Sequence, residues 1–465
     1  MMDRMRFTKF CGCREPFRSA IRIHGLLNRR AEKVSASPCV ASLGAALLLL
    51  VVTFTLPCFC AAQVSYVARF SIEKEMFLLG EPVFCDFTIK NTGARTIQFT
   101  YRSPSRVLNR ELEQEPRFRV RDESGRALPD PAPQPCGGAK GSAVYGTVTL
   151  PAGQTHTERW LLNQWARFPA PGRFRVRAER RLPLLAVDPA TGMPSARPVA
   201  YALALNEFSF ELEPAAQSQL ESAFQPYVKL LDDPKTSNKD EAFLVVTTLP
   251  QPFLLPKLEG IVNAPAAMPG LDRRQVLEGL ARLGTPAAWE AILKVARGEQ
   301  RGSPPRSSDS WADVSLRAYA LLLLGEKGDA AFLPPLLEMV STAPAELRGD
   351  VLRSLGFFRN PHANQVLLEK LHSPDANDRV NALLGLKNLE SRDAIPALLA
   401  MLNDANAQVR QVANFALQSL TGQKFKLSAK APRGESVRVA ERWHAWWREQ
   451  GASFVPLRQP ACHDW

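Results

Sequence analysis

Sequence motifs for catalysis and metal binding are missing from this chain of 465 residues. It contains no Gly-x-Ser-x-Gly elbow, no His-Glu-x-x-His, no Gly-x4-Gly-Lys phosphate loop and no Cys-x-x-Cys pair. Histidine is rare, with six in the whole chain, and no two are spaced as metal ligands usually are. The sequence alone therefore predicts no catalytic residue, no cofactor and no metal site, and a protein that is not an enzyme.

Cysteine is scarce beyond the N-terminal region. Five of the eight cysteines lie at or before Cys60, which leaves Cys85, Cys136 and Cys462. Three cysteines make neither a disulfide framework nor a metal cluster. Cys85 falls in a strand-like run and is expected to be a small buried apolar side chain. A Cys85–Cys136 disulfide in an oxidising compartment is left open as an alternative.

The net charge of +12 is unevenly distributed and does not indicate a nucleic-acid partner. Residues 1–62 contain nine Lys and Arg against three acidic residues, so much of the excess lies there. Residues 273–422 contain 17 basic and 16 acidic side chains. A phosphate-binding surface needs a basic stripe, and this balance predicts none in that half of the chain. We expect no nucleic-acid partner.

The N-terminal region has the pattern of an export signal. Residues 40–62 carry no charge, their centre reads AALLLLVV, and basic residues precede them. Ala61 and Ala62 offer small side chains for cleavage before Gln63, as in a secretory signal peptide. An uncleaved signal anchor is the alternative, since about 20 apolar residues suffice to span a bilayer. We predict a periplasmic or extracellular protein, or one anchored in the inner membrane through residues 40–62 alone.

Residues 63–213 show the alternation of apolar and polar residues that is typical of β-strands. Alternating apolar positions include Val83, Cys85, Phe87 and Ile89, and turn sequences such as Asn-Thr-Gly and Pro-Gly separate the runs. Seven or eight short strands over this length favour a β-sandwich. The segments FLLGEPVFCDFTIKNTG, LPAGQT and PGRFRVRAE resemble the immunoglobulin-like domains of exported bacterial proteins, although the Cys…Trp…Cys pattern of antibody domains is absent.

The C-terminal half is a repeat with a period of 31 residues. Arginine recurs in this register, and a fifth arginine joins if residues 298–310 are an insertion: Arg273, Arg317, Arg348, Arg379 and Arg410. Small or branched apolar residues follow each of the last four arginines by three positions, and leucines follow by seven. Such a period predicts stacked helix pairs, each of which buries its apolar face against its neighbours. We predict an α-solenoid over residues 214–422.

The strongest repeat reads Asp404-x5-Arg410-x2-Ala413-x3-Leu417, preceded by the segment DAIPAL. This motif resembles the short HEAT-like repeats first described in bilin lyases. The resemblance implies an α-α superhelix, and it carries over helices rather than a pigment-binding site. Two interpretations of the arginines are open. They form a structural ladder that joins one unit to the next, or they line a binding surface for an anionic ligand.

Three tryptophans occupy positions i, i+3 and i+4 of the last predicted helix: Trp443, Trp446 and Trp447. Residues 423–465 are expected to cap the open apolar end of the solenoid, because terminal repeats need such a cap. The alternative is an aromatic platform that stacks against a sugar or a peptide.

The whole sequence thus predicts an immunoglobulin-like β-sandwich followed by a HEAT-like α-solenoid. The function it favours is non-catalytic protein–protein interaction or scaffolding in the bacterial envelope, with another protein as partner. The alternative is an accessory protein of an envelope hydrolase, or a carbohydrate-binding protein.

Overall fold

The computed structural model describes residues 64–102, 115–131, 145–233, 236, 239–264, 272–299, 311–428 and 430–457. The predicted export segment at residues 1–62, Cys136, Cys462 and nearly all of the predicted insertion at residues 298–310 lie outside the described residues. The chain divides into a unit that ends at Cys58 and a compact unit from Phe59 to Trp465, to which every described residue belongs. No helix in the described ranges is both long enough and apolar enough to cross a membrane.

The first part of the described chain is built from β-strands. In chain order these are β1 (Tyr66–Ile72), β2 (Met76–Leu78), β3 (Phe84–Asn91), β4 (Ile97–Arg102), β5 (Arg117–Asp122), β6 (Tyr145–Leu150), β7 (Thr155–Leu161), β8 (Gly172–Ala186) and β9 (Ala200–Glu213). Strands β1, β3 and β7 form a three-stranded antiparallel sheet. The second sheet has the order β2-β9-β8-β4-β6, and β5 also pairs with β8. Strand β2 runs parallel to β9, and the other pairs in this sheet are antiparallel.

The two sheets share one apolar core. Phe70 of β1 lies 5.2 Å from Phe87 of β3 and 5.4 Å from Phe118 of β5, measured between ring centroids, so the contact joins one sheet to the other. Alternation along each strand places these rings inside and the intervening polar residues outside. A sheet-rich N-terminal region is therefore confirmed. Strand β8, with 15 residues, is longer than the short strands that the sequence predicts.

Two polar groups are buried in this core. Cys85 is a free thiol and fully buried, and this burial, with a smaller contribution from Asp86, raises the pKa of the thiol well above its ordinary value. Arg180 is also buried, and its Nη1 donates to Oε2 of Glu158 at 2.8 Å. Its guanidinium stacks 4.5 Å from the ring centroid of Phe87. A buried charge needs such partners because its desolvation is costly.

The remainder of the described chain is helical. In chain order the helices are α1 (Gln217–Asp232), α2 (Asp240–Thr248), α3 (Leu255–Val262), α4 (Arg273–Leu283), α5 (Pro286–Arg297), α6 (Trp311–Lys327), α7 (Leu333–Thr342), α8 (Ala345–Leu355), α9 (Pro361–Lys370), α10 (Ala376–Leu389), α11 (Ile395–Ala400), α12 (Ala407–Thr421) and α13 (Arg433–Gln450). Proline stands in the first turn of α5, α7, α9 and α11, where its missing N–H costs no hydrogen bond. Side-chain caps start α4, α5, α9, α10 and α12.

From α4 onward the helices form two layers. Helices α6, α8, α10 and α12 pack side by side in the inner layer, with α4 at their start, and each outer helix packs against its inner partner. Backbones in the inner layer approach closely at two glycines: a Cβ on Gly356 would lie 2.0 Å from the carbonyl oxygen of Gly385. Because the small rotation between stacked repeats creates an extended concave surface in solenoids, we call the exposed face of the inner layer the concave side.

The repeat positions identified from the sequence form the solenoid core. The residues three and seven positions after the last four ladder arginines are all fully buried, and so is one leucine that recurs every 31 residues in the outer helices. These residues are Ala320, Val351, Ala382, Ala413, Leu324, Leu355, Leu386, Leu417, Leu336, Leu367 and Leu398. The helical repeat architecture is therefore confirmed for the C-terminal part of the chain.

The sheets and the helices meet at one junction. Phe84 and Leu161 pack with Phe224 of α1 in the helical core, so the two regions share buried apolar surface. Arg159 sits above the ring of Phe84 at 4.2 Å and lies 3.6 Å from Glu241 of α2. The division into separate domains at residues 213 and 214 stays a prediction.

Candidate functional site

The arginine ladder runs along the start of the inner helices, and Arg379 makes its most complete set of contacts. Its Nε and Nη2 donate to the two carboxylate oxygens of Asp404 at 2.9 and 3.0 Å. Its Nη1 donates to the carbonyl oxygens of Ser373 and Pro374 at 2.9 and 3.2 Å. The guanidinium thus connects the turn before its own helix to the corresponding turn one repeat later.

Arg410 repeats half of this arrangement. Its Nη1 donates to the carbonyl oxygens of Asp404 and Ala405 at 2.8 and 2.9 Å. Its Nε donates to Oγ of Ser436 at 3.3 Å, at the start of α13. Because α13 follows the last repeat, a hydroxyl here takes the place of the aspartate that faces Arg379.

Arg317 and Arg273 reach carbonyl groups at the end of the preceding helix or just after it. Arg317 donates to the carbonyl oxygens of Ala296 and Arg297, each at 3.2 Å, and these are the last residues of α5. Arg273 donates to the carbonyl oxygen of Ala264 at 3.3 Å and pairs with Asp313. A cation is favourable at a helix C-terminus, where carbonyl groups lack intrahelical partners.

Arg348 is the exception in the register. It is half-buried, and it forms no hydrogen bond or ion pair within the residues that the structure describes. Arg379 pairs with Asp404, which lies 25 residues after it. The residue 25 positions after Arg348 is Ser373, which carries no carboxylate. The structure therefore brings four of the five arginines into contact with neighbouring turns. Their role as a structural ladder stays a prediction.

The three tryptophans come together on α13 beside the last repeat. Trp443 is fully buried, and its Nε1 donates to Oδ1 of Asn414 on α12 at 2.7 Å. Trp446 and Trp447 are half-buried and contact the ring of Phe454 with centroid distances of 5.2 and 6.2 Å. The indole of Trp443 is therefore out of reach of a ligand. A platform role stays a prediction for the two half-buried rings alone.

The concave side of the solenoid carries a cavity of about 290 Å³ between α6 and α8. Ala318 and Leu322 of α6, together with Phe357 after α8, form its apolar part. The polar side chains around it come from four successive elements of the inner layer: Arg274, Ser315, Tyr319, Asp350, Arg353, Ser354 and Asn388. Sequence motifs did not identify this set because its members are spread over residues 274–388.

Hydrogen bonds hold the polar rim of this cavity in place. Tyr319 donates from its hydroxyl to Oε1 of Glu278 at 2.8 Å. Arg353 forms an ion pair with Asp350 one helical turn away. Asn388 of α10 donates from Nδ2 to the carbonyl oxygen of Arg353 at 3.1 Å. The side chains that border the cavity are thus fixed by contacts between successive repeats rather than by one helix alone.

Toward the last repeat the concave side becomes both basic and apolar. Lys387 lies 6.0 Å from the ring centroid of Phe415, whose side chain is half exposed. Partial burial lowers the pKa of Lys387, and the charge of Glu390 opposes this shift. In the described ranges, no three His, Cys, Asp or Glu side chains are grouped as metal ligands would be. The contacts that the concave side offers are the apolar and polar ones of the cavity and those of Lys387 and Phe415.

Comparison with known families and proteins supports the repeat assignment. The family described as PBS lyase HEAT-like repeat matches residues 378–404, which cover most of α10 and all of α11. No curated protein matches the chain. The match covers a single helix pair, so it identifies the type of repeat rather than the whole protein.

Several solved structures are similar at low sequence identity. A designed armadillo repeat protein in complex with the peptide (KR)4 is 15% identical, with 43% of this chain and 93% of that chain covered and a TM-score of 0.27. The complex of CpcE and CpcF of phycocyanin lyase from Nostoc sp. PCC7120 is 16% identical, with 48% and 83% covered and a TM-score of 0.24. A β-glucosidase from Erythrobacter marinus is 14% identical, with a TM-score of 0.17; 32% of this chain and only 16% of that chain are covered.

These comparisons correct one prediction from the sequence. The expectation that the protein is not an enzyme is wrong, because the repeat family that matches residues 378–404 is described as PBS lyase HEAT-like repeat. The physical reason for the error is that motif searches test residues close in sequence. A solenoid instead gathers side chains from distant repeats, as the cavity from Arg274 to Asn388 illustrates.

Proposed function

We propose that this protein is an interaction scaffold whose concave solenoid surface binds an extended segment of a partner protein. The observation that carries the proposal is the cavity between α6 and α8, whose apolar part is bordered by polar side chains from successive repeats. Binding sites typically combine an apolar interior with a few fixed polar groups. An apolar side chain of the partner occupies the cavity, and the rim contacts its main chain.

The size of the cavity supports a peptide as the ligand. A volume of about 290 Å³ is at the small end for ligand pockets and accommodates one large side chain. The concave row continues from the cavity toward Lys387 and Phe415 on the next two inner helices. An extended chain gains contacts along such a row, whereas a small compact ligand uses the cavity only.

We also infer that the scaffold is exported and acts in the bacterial envelope, with an immunoglobulin-like sandwich as its N-terminal domain. The uncharged stretch at residues 40–62 and its basic flank support export. Two sheets that share one core support the sandwich type. A fusion of residues 1–70 to alkaline phosphatase, which is active only after export, tests the first inference; an inactive fusion contradicts it.

The binding proposal is tested by selecting peptides from a displayed library against the purified protein. Ser315→Trp places a large side chain at the cavity, and Ser341→Trp makes the same change at an exposed serine of α7 in the outer layer. We expect selected peptides to share an apolar residue and to lose at least tenfold in affinity for the Ser315→Trp variant, about 1.4 kcal/mol. Equal affinity for both variants, or no enriched peptide, contradicts the proposal.

A further inference from the structure

Arginine alternates with buried apolar residues on two neighbouring strands of the larger sheet. Strand β5 reads RFRVRD and strand β8 begins GRFRVRAERR. The apolar members, such as Phe118 and Val176, point into the core between the sheets. Because side chains alternate between the faces of a strand, the arginines lie together on the opposite face. All six are exposed: Arg117, Arg119, Arg121, Arg173, Arg175 and Arg177.

The strand register places like charges directly opposite each other. Arg119 faces Arg177 and Arg121 faces Arg175 across the antiparallel pair. Side chains in such positions are about 5 Å apart at Cβ, and like charges there destabilise a sheet. None of the six arginines forms an ion pair within the described part of the chain. This arrangement weakens the isolated fold, so stability of the sheet does not explain it.

Acidic residues on the same face only partly offset the charge. Glu207 and Glu211 of β9 lie opposite Arg177 and Arg173 on the other side of β8, and Glu179 of β8 lies opposite Arg117. The arginines outnumber these glutamates two to one. The face therefore keeps an excess of positive charge.

The same face continues into an exposed apolar area on β9. Tyr201, Leu203 and Leu205 point outward and are 45%, 51% and 49% exposed, while Ala202 and Ala204 between them are buried. The guanidinium of Arg181 stacks 4.1 Å from the ring centroid of Tyr201. A row of exposed aliphatic side chains is energetically unfavourable in water unless a partner covers it.

We propose that this surface binds peripherally to an anionic phospholipid membrane. We call it the arginine face: Arg117, Arg119, Arg121, Arg173, Arg175 and Arg177, with Tyr201, Leu203 and Leu205. Guanidinium groups pair with phosphate in a bidentate geometry, and basic residues are attracted to anionic headgroups. Aliphatic side chains beside them enter the boundary between headgroups and acyl chains.

The combination of charge and apolar area favours a membrane over a nucleic acid. Surfaces that bind single-stranded nucleic acids join basic residues to aromatic rings that stack on bases. Here the aromatic ring of Tyr201 is covered by Arg181, and the side chains next to it along β9 are leucines.

Sedimentation with lipid vesicles tests the proposal. We use the chain from Phe59 onward, which forms a compact unit without the apolar run at residues 45–52. Vesicles contain phosphatidylcholine alone or phosphatidylcholine with phosphatidylglycerol. We expect binding only to the vesicles with phosphatidylglycerol, and we expect it to weaken as salt screens the charges.

Two variants with the same change in net charge separate the arginine face from general electrostatics. The double variant Arg119→Glu/Arg175→Glu creates opposite-charge pairs with Arg177 and Arg121, so it should melt no lower than the native protein. It should bind the anionic vesicles at least about tenfold more weakly. The control, Arg433→Glu/Arg438→Glu, changes two exposed arginines of α13 and should bind as the native protein does.

The apolar area is tested by Leu203→Ser/Leu205→Ser, measured with anionic vesicles and with inorganic polyphosphate. We expect weaker binding to vesicles and unchanged binding to the soluble polyanion, because only a membrane accepts the leucines. Three results would overturn the proposal: an equal loss of vesicle binding in both charge variants, binding to neutral vesicles, or vesicle binding that the leucine substitutions leave unchanged. Binding to polyphosphate without binding to any vesicle would assign the face to a soluble polyanion instead.

Discussion

Replacing Arg379 with alanine is expected to destabilise the whole solenoid. The side chain is 15% exposed and its partner carboxylate on Asp404 is 9% exposed, so solvent can replace little of what is lost. The substitution removes two charged hydrogen bonds to Asp404 and two to carbonyl groups. A buried pair that loses one member costs more than the pair contributed, and we estimate about 2–4 kcal/mol.

The loss should be transmitted beyond the mutated repeat. Helix pairs in a solenoid stabilise one another through their interfaces, and Arg379 connects two successive turns of the stack. For a region of this size, 1 kcal/mol shifts the melting temperature by about 2–4 °C, so a decrease of about 5–15 °C is expected. Thermal melting followed by circular dichroism at the helical signal measures it.

Arg348→Ala is the matched control. This arginine holds the same register position but has no hydrogen-bonding or ionic partner in the described part of the chain, so its loss should cost less than about 1 kcal/mol. Arg379→Lys keeps the charge but cannot reproduce the bidentate contact with Asp404, and should be intermediate. Equal melting temperatures for the two alanine variants would refute the structural interpretation of the ladder. If Arg379→Ala then also lost partner binding, the arginines would form a binding surface instead.

Three further outcomes are expected. Trp443→Phe removes the only hydrogen bond described for the indole and leaves Oδ1 of the buried Asn414 without this donor. The free energy of unfolding, measured in urea, should therefore fall by about 1–3 kcal/mol. An unchanged value would show that water replaces the indole as the donor. Gly356→Ala would place a Cβ 2.0 Å from the carbonyl oxygen of Gly385, so the inner helices must separate and the melting temperature must fall, whereas no change would contradict the close approach. Burial raises the pKa of Glu241 above its ordinary value of 4.5, although the charge of Arg159 opposes this shift. The folded state therefore binds this proton more strongly than the unfolded state does, and the resulting stabilisation is lost as pH rises through the raised pKa. The melting temperature of Glu241→Gln relative to the native protein should therefore increase with pH above 4.5, and a flat difference would argue against the shift.

The period of 31 residues predicted the solenoid because its physical basis is local. Each repeat must place apolar residues on one helical face, and this requirement is visible in the order of the residues. Ala382, Leu386 and Leu398 are accordingly fully buried. The same holds for strand alternation, which located Cys85 inside the sheet core. Helix and strand boundaries were less accurate, and β8 in particular runs for 15 residues, where the sequence predicts short strands.

The candidate sites depend on tertiary contacts that no local pattern encodes. The cavity joins Arg274 to Asn388 because stacking brings the inner faces of successive repeats together. The arginine face depends on the register between β5 and β8, which turns two separate alternating runs into facing pairs such as Arg119 and Arg177. Periodicity in the order of the residues identified the apolar positions that are buried and the type of element they form, since both follow from a pattern along one element. Only the packing of elements decided which exposed side chains meet, because that depends on distances between residues far apart in the chain.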